Sequence, residues 1–392
     1  MARDETKIGR VRDAMRKEGF DTLLLRVPEN VTYLSDAWCG QGLTYLIFPL
    51  EGDPVLIHPA SELPPTTWVS DVRLYSVETV DMLDDAVKVG TELVRTTLVD
   101  LGVRSGTVGV EQAWELVQGT YLRYEVNVSG ERTLQTLRER LTSCDLRDAS
   151  SLLTGMRSVK TSHEVERLRK ANRVAEIGLE TFERSLEPGV SEIELAAKID
   201  HDIVTDGIMK HRAKRAVACA FVASGPTTAE AYKSVVGNTR RKLRRGDLVM
   251  LELDVVVDGY SSDTTRTFVV GKPRKDQKRL LDAVLDSETT AISAIKAGAT
   301  ASEIARISNE VISKHGLSKY LVHGLGHGIG VSVHEPIPTL HLRSKDVLQP
   351  GMTHTVEPGI YGRRIGGVRI EDDVLVAQEG AKYLSTFHRM PE

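Results

Sequence analysis

Carboxylates interrupt what should be an apolar hairpin in the second half of the chain. The stretch from Glu252 to Thr267 reads E-L-D-V-V-V-D-G-Y-S-S-D-T-T-R-T; the apolar run Leu248-Val249-Met250-Leu251 precedes it and Phe268-Val269-Val270 follows. Asp-Gly between β-branched runs is a strong hairpin signal, so two strands joined through Asp258-Gly259 are expected. Their pairing brings Glu252 and Asp263 toward one place. Facing anions inside an apolar hairpin are costly unless a cation sits between them. The residues therefore ask for a metal.

The other half of such a site lies downstream. His323-Gly324-Leu325-Gly326-His327-Gly328-Ile329-Gly330 runs into Val331-Ser332-Val333-His334-Glu335-Pro336, so three of the eleven histidines share one glycine-rich window. Glycine permits close backbone approach and unusual dihedrals, as a loop aiming imidazoles at a small target requires. Neutral imidazole is a common metal ligand, and it can instead act as a general acid or anchor an anion. Glu357, in Thr355-Val356-Glu357-Pro358, and Glu371, in Val368-Arg369-Ile370-Glu371-Asp372, each sit in an apolar, strand-like run. Alone, either could be half of an ion pair with a neighbour such as Arg369. Together with Glu252, Asp263 and His327 they make one imidazole and four carboxylates. That hard, oxygen-rich set suits a pair of Mn, Co, Fe or Zn ions sharing bridging carboxylates.

Elements that could position these groups are readable from periodicity. At 392 residues the chain is long for one core, so two domains are expected. Residues 7–19 and 84–101 read as helices, and 22–25, 45–48, 54–57 and 108–110 as strands. This alternation predicts an α/β domain over 1–155 without a chemical constellation of its own. Beyond a junction at 155–164, Thr161 or Ser162 caps a helix to about Ser185, and a second helix follows Ser191 to about Thr205. A third helix ends near Ala297, and a fourth, capped by Thr300 or Ser302, ends at Lys314. Helix, helix, then strands thus occurs twice, at 162–270 and 277–377, which suggests two related halves around a shared site within 156–392.

Composition excludes other classes of partner. The 51 basic and 55 acidic residues nearly balance, so neither nucleic acid nor a membrane surface is recommended as partner. No apolar run has the length of a membrane span, and the charged start lacks the apolar core of a signal peptide, so a cytoplasmic location is expected. Cys39, Cys144 and Cys219 are odd in number and far apart, and are expected as buried thiols rather than disulfides or zinc ligands.

Taken as a set, these motifs resemble the pita-bread metallopeptidases of family M24, which include Xaa-Pro aminopeptidase, prolidase and methionine aminopeptidase. Glu29-Asn30-Val31-Thr32-Tyr33-Leu34 is similar to that family's amino-terminal domain, and Arg157, Lys160 and Glu164 to its junction. Ser262 to Thr267, His323 to Glu335, Gly351 to Tyr361 and Arg369 to Asp372 are similar to its catalytic signatures. The resemblance implies an α+β protein, with a carboxy-terminal pita-bread fold and a smaller creatinase-like α/β domain before it. It implies hydrolysis of amide bonds of the Xaa-Pro type, by a water bridging two divalent ions, on a small peptide, in a homodimer. Trp38 is the candidate for the contact with a second subunit. By the same resemblance Glu252, Asp263, His327, Glu357 and Glu371 are metal ligands. His334 and His323 flank the scissile bond, and Glu357 relays a proton.

Several positions depart from the family pattern. Glu252 stands where its peptidases carry Asp, and Asp254 stands where they carry Gly, on the same strand face, as a possible compensating carboxylate. Tyr232 occupies the place of a substrate-side histidine; it is either a substrate-binding hydrogen-bond donor or a packed core tyrosine. Pro338 stands where prolidases hold the dipeptide carboxylate with Arg, leaving Arg343 or His341 to take over. His354 replaces an aromatic or aliphatic residue, and either lines the pocket or is a satisfied core histidine. Arg369 is a further substrate-binding candidate. These departures keep two other readings open: an enzyme on the same scaffold acting on a small non-peptide metabolite, as creatinase, ectoine hydrolase and a dimethylsulfoniopropionate lyase do, or a non-catalytic binding protein.

Overall fold

The computed structural model describes residues 3–39, 43–61, 66–112, 130–233 and 237–390. They divide into two compact units at Arg157/Ser158, at the end of helix α5.

In the first unit the order is α1 (Glu5–Glu18), β1 (Thr22–Leu25), α2 (Pro28–Ser35), β2 (Tyr45–Pro49), β3 (Val55–Pro59), β4 (Asp71–Tyr75), a small hairpin β5 (Glu78–Thr79) and β6 (Met82–Leu83), α3 (Ala86–Asp100), β7 (Gly106–Val110), α4 (Glu131–Arg140), β8 (Cys144–Asp148) and α5 (Ser150–Ser158). Six strands form a mixed sheet in the order β4-β3-β2-β1-β7-β8. Tyr45, Ile47 and Val108 of this sheet bury against Val94 and Leu98 of α3 and Leu134 and Leu137 of α4. Trp38 is half-buried in this unit.

The second unit opens with α6 (Ser162–Arg184), α7 (Glu192–Met209), β9 (Ala216–Ser224), β10 (Leu248–Val257) and β11 (Tyr260–Val269). Thr161 caps α6 and Ser191 caps α7, each in a capping box closed by Glu164 and Glu194. The three strands pair antiparallel in the order β11-β10-β9. Along β10 the alternation is strict: Val249, Leu251, Leu253 and Val255 join Val174, Leu179 and Phe182 of α6 and Ile199 of α7 in one core. The opposite face therefore carries Glu252 and Asp254. Asp258 and Gly259 both take positive φ, 50° and 90°, as a two-residue turn matching strand twist requires.

Then come α8 (Lys275–Ala294), α9 (Ala301–Lys314), β12 (Gly326–Gly328), β13 (Glu335–Leu340), β14 (Thr353–Val356), β15 (Gly359–Gly362), β16 (Gly366–Arg369), β17 (Asp372–Val376) and β18 (Ala381–Tyr383). A five-stranded sheet runs β13-β12-β14-β17-β18, and β15 pairs with β16. Val356, Val374 and Leu340 of the sheet pack with Ile292, Ile304 and Ala305 of the helices. The glycine-rich window expected as a loop contains a short strand, β12. A Cβ at Gly326 would collide with the Thr355 carbonyl and one at Gly328 with that of Ile337, so glycine lets β12 lie between its neighbours. Among the described residues no helix is long and apolar enough to cross a membrane. The three cysteines are free, and half-buried rather than buried.

Candidate metal centre

Every candidate ligand belongs to the second unit. In the hairpin register Asp254 lies directly opposite Asp263, and Glu252 lies opposite Thr265, one step further toward the open end. Directly paired residues of an antiparallel ladder share a face, so all four point to one side. Asp254 is 5% exposed and Asp263 2%, and each keeps one carboxylate oxygen without a hydrogen-bond partner. Asp263 is also backed from its peptide side, where its N–H donates to Asp373 Oδ2 at 3.1 Å.

His327 enters from β12. Its Nδ1 lies 3.0 Å from the Gly328 carbonyl, which requires a proton on Nδ1 and leaves the Nε2 lone pair free. That nitrogen is 3.5 Å from Asp263 Oδ2 and 3.7 Å from Glu357 Oε1. Glu357 follows β14, and Glu371 sits between β16 and β17. The Thr265 hydroxyl donates to Glu371 Oε2 at 2.6 Å, and Arg266 donates to the Glu371 main-chain carbonyl at 2.6 Å, fixing the residue by its side chain and its backbone. Burial first, and then the charge of Glu371, pushes the carboxyls of Asp263 and Glu357 well above the usual range; the same causes raise Asp254 to about 7.

Three sets of ligand atoms each lie within 4.8 Å of one another: Asp263, His327 and His334; His327, Glu357 and Glu371; Glu252, Asp254 and Asp263. Crowded carboxylates with orphaned oxygens and a lone-paired imidazole fit divalent cations bound by oxygen and nitrogen.

The flanking residues vary in what they leave free. The His334 ring lies tilted against His327, 4.1 Å between centroids, and burial together with that neighbour lowers its pKa to about 3, so the ring is neutral in ordinary buffers. His323 has both nitrogens engaged, Nδ1 2.7 Å from the Gly324 carbonyl and Nε2 3.1 Å from the Tyr361 hydroxyl. Tyr361 in turn accepts from Arg369 Nη1 at 3.0 Å. Arg369, expected at the substrate, is 4% exposed; besides Tyr361 it engages Thr265 Oγ1 and pairs with Glu252. His354 has no exposed surface and shares its side of β14 with Val356, toward the helices; its Nδ1 lies 2.9 Å from the Thr355 carbonyl while its Nε2 is buried without a hydrogen-bond partner, so it is a core histidine only half satisfied. Tyr232 is not core: it is 39% exposed and packs edge-on against Tyr361 at 5.2 Å. Arg343 and His341 are exposed in the turn after β13.

Thr265 and Tyr361 lie inside the family-like motifs and Asp373 directly after the last of them, and their residue types alone suggest no role. Only Thr265 carries a signal, since it stands two residues from Asp263 and so shares its face.

Known proteins share the fold and are similar in sequence. A family model described as metallopeptidase family M24 matches residues 166–378, and one described as the creatinase/prolidase N-terminal domain matches residues 7–159. An Xaa-Pro dipeptidase of Pyrococcus furiosus is 33% identical over 256 residues, covering 65% of this chain and 71% of its own. A prolidase structure from Pyrococcus horikoshii superposes with a TM-score of 0.77 at 26% identity, covering 98% of this chain and 99% of that one. An X-Pro aminopeptidase from Thermotoga maritima gives 0.79 at 22% identity over 98% of each chain, a likeness of fold.

Fold and site together define a metallohydrolase with a pita-bread domain, preceded in sequence by a creatinase-like α/β domain, as the motifs led one to expect. The chain belongs to metallopeptidase family M24. The family implies divalent metal ions.

Proposed function

We propose that this chain is an Xaa-Pro peptidase, a dipeptidase or aminopeptidase, working with two divalent ions held by Asp263, His327, Glu357 and Glu371 and one further carboxylate of the β10–β11 hairpin. The observation that carries the reading is the free Nε2 of His327 standing 3.5 Å from Asp263 and 3.7 Å from Glu357. Ions of this kind, when bound, polarise a carbonyl and make water a nucleophile at neutral pH. The protein's own groups do the rest.

Glu357, whose Oε1 lies 3.7 Å from His327 Nε2, is placed to take a proton from water and pass it to the leaving nitrogen. Neutral His334, beside His327, can hydrogen-bond the substrate next to the scissile bond. His323 is held in one tautomer by Gly324 and Tyr361, with Tyr232 adding an aromatic face beside them. The named activities of the Pyrococcus relatives support an Xaa-Pro substrate. A cytoplasmic homodimer completes the reading.

A small non-peptide metabolite is the second reading. It is favoured by Pro338 at the expected carboxylate-binding position and by Arg369 being committed to Glu252, Thr265 and Tyr361. The deciding experiment strips the protein with chelator, reloads it with Mn or Co, and follows Xaa-Pro dipeptides and amino-terminal Xaa-Pro peptides by mass spectrometry. Cleavage after the first residue, restored by metal, is expected. Inert peptides at every metal loading would overturn the peptidase reading.

A further inference from the structure

We propose that Asp254, rather than Glu252, is the hairpin's second metal-binding carboxylate beside Asp263, and that Glu252 serves instead as the standing counter-charge of Arg369. The inference rests on the reading above that the centre holds divalent ions. It concerns which side chain completes that centre.

Register comes first. Asp254 is the residue directly across the ladder from Asp263, whereas Glu252 is across from Thr265. Side chains of directly paired residues are the closest across a sheet, and diagonal neighbours are about 2–3 Å further apart. Two aspartates at this spacing present their oxygens to the same small volume.

Unmet bonding is the second, independent observation. Asp254 and Asp263 are 5% and 2% exposed, and Oδ1 of each is buried without any partner. A buried carboxylate oxygen without a donor is costly, and this pair of rungs carries two. A cation between them removes both penalties. Glu252 has no such need. Its side chain is 32% exposed, and its Oε2 is paired with Arg369, which is anchored at the same time on Thr265 Oγ1 at 2.9 Å and Tyr361 Oη at 3.0 Å.

Side-chain length explains the exchange. Glutamate at 252 is one methylene longer than aspartate, so its carboxylate reaches beyond the ladder to the guanidinium. An oxygen of Glu252 still lies within 4.8 Å of both aspartates, but that carboxylate is already neutralised. The tandem Glu252-x-Asp254 thus splits two duties between two side chains on one face, with Asp254 for the ion and Glu252 for Arg369.

The test is metal binding by D254N and E252Q, measured on chelator-stripped protein by Mn titration calorimetry and by electron paramagnetic resonance of bound Mn. Thermal melts of the metal-free forms accompany it. Wild type should bind about two ions, and E252Q should match it within about threefold in affinity. D254N should lose one ion or at least about tenfold in affinity, while its metal-free form melts at or above wild type, which rules out misfolding as the cause. Loss of an ion in E252Q with wild-type binding in D254N would overturn the inference and leave the metal centre standing. Wild-type binding in both variants would overturn it equally. No Mn bound by wild type would remove the reading beneath it.

Discussion

Asp254 and Asp263 face each other directly across the β10–β11 ladder, each nearly sealed from solvent and each with a carboxylate oxygen that nothing in the protein satisfies. The rest of the hairpin is built to hold this pair in place. One strand face is committed to the α6–α7 core, so the other face cannot slip without turning Leu251 and Leu253 outward. The anionic site is therefore held by apolar packing on its far side.

Metal-free protein should become less stable as pH rises. Burial and Glu371 lift the Asp254 carboxyl to about 7, and Asp263 and Glu357 move the same way. A carboxyl with a folded pKa above its unfolded value, about 4, stabilises the fold fully below that value, and the contribution disappears as pH climbs through the folded pKa. Stability should therefore fall by a few kcal/mol between about pH 4 and 7 in stripped protein. Saturating Mn should abolish the slope. Melting curves at several pH values check this, and parallel slopes with and without Mn would contradict it.

Thr265→Val should weaken the site while leaving the fold intact. The hydroxyl donates to Glu371 Oε2 and accepts from Arg369 Nε, whereas valine keeps the β-branched shape of the strand. Loss of such a supporting bond costs about 10- to 100-fold in metal affinity or activity. Titration of Mn into the variant measures it, and unchanged affinity and turnover would show that Glu371 holds its position unaided.

Tyr361→Phe should change how His323 titrates. The hydroxyl joins Arg369 Nη1 to His323 Nε2, and without it that nitrogen is free to take up a proton. Burial already lowers the His323 pKa, with the Gly324 carbonyl opposing. A fall in kcat of about tenfold, together with a displaced acidic limb of the pH–rate profile, is the expected result. A lower kcat with an unmoved profile would mean that the tyrosine merely packs.

A fourth expectation concerns the back of the centre. Arg266 donates to the Glu371 carbonyl and pairs with Asp372 at 2.8 Å, and Arg389 bridges Asp372 at 2.7 Å and Glu288 at 3.3 Å. Asp372 and Glu288 are fully buried. Removing one partner of a buried pair costs about 3–5 kcal/mol, and because Arg389 is 26% exposed, Arg389→Met should cost less, about 2–3 kcal/mol. Burial and Asp372 raise Glu288 to about 8, so stability it contributes in protonated form disappears as pH rises through that value. Without Arg389 the loss should deepen from pH 6 to pH 9, as urea unfolding at the two values would show.

Much of this centre was legible in the sequence because its residues break local rules. Asp263 in a strand, Glu371 in an apolar run and His327 among glycines are each costly without a common purpose, and the Asp258-Gly259 turn set the pairing of the hairpin. The hidden parts depend on register and on distant partners. The two-residue Asp258-Gly259 turn already makes Asp254 the rung opposite Asp263, but nothing in the spacing says that Glu252 is paired with Arg369. Arg369 looked available for substrate because its partners Glu252, Thr265 and Tyr361 come from three other segments. His354 was ambiguous between pocket and core, and only the placement of α8 and α9 over Val356 and Val374 decides its side.

The most direct test couples activity to metal content. Stripped protein is titrated with Mn while hydrolysis of an Xaa-Pro dipeptide is followed, beside H327A as control. Turnover that rises with added Mn and saturates at about two ions per chain, with H327A at baseline, is the predicted result. Turnover indifferent to chelator, or none at any loading, would contradict the account.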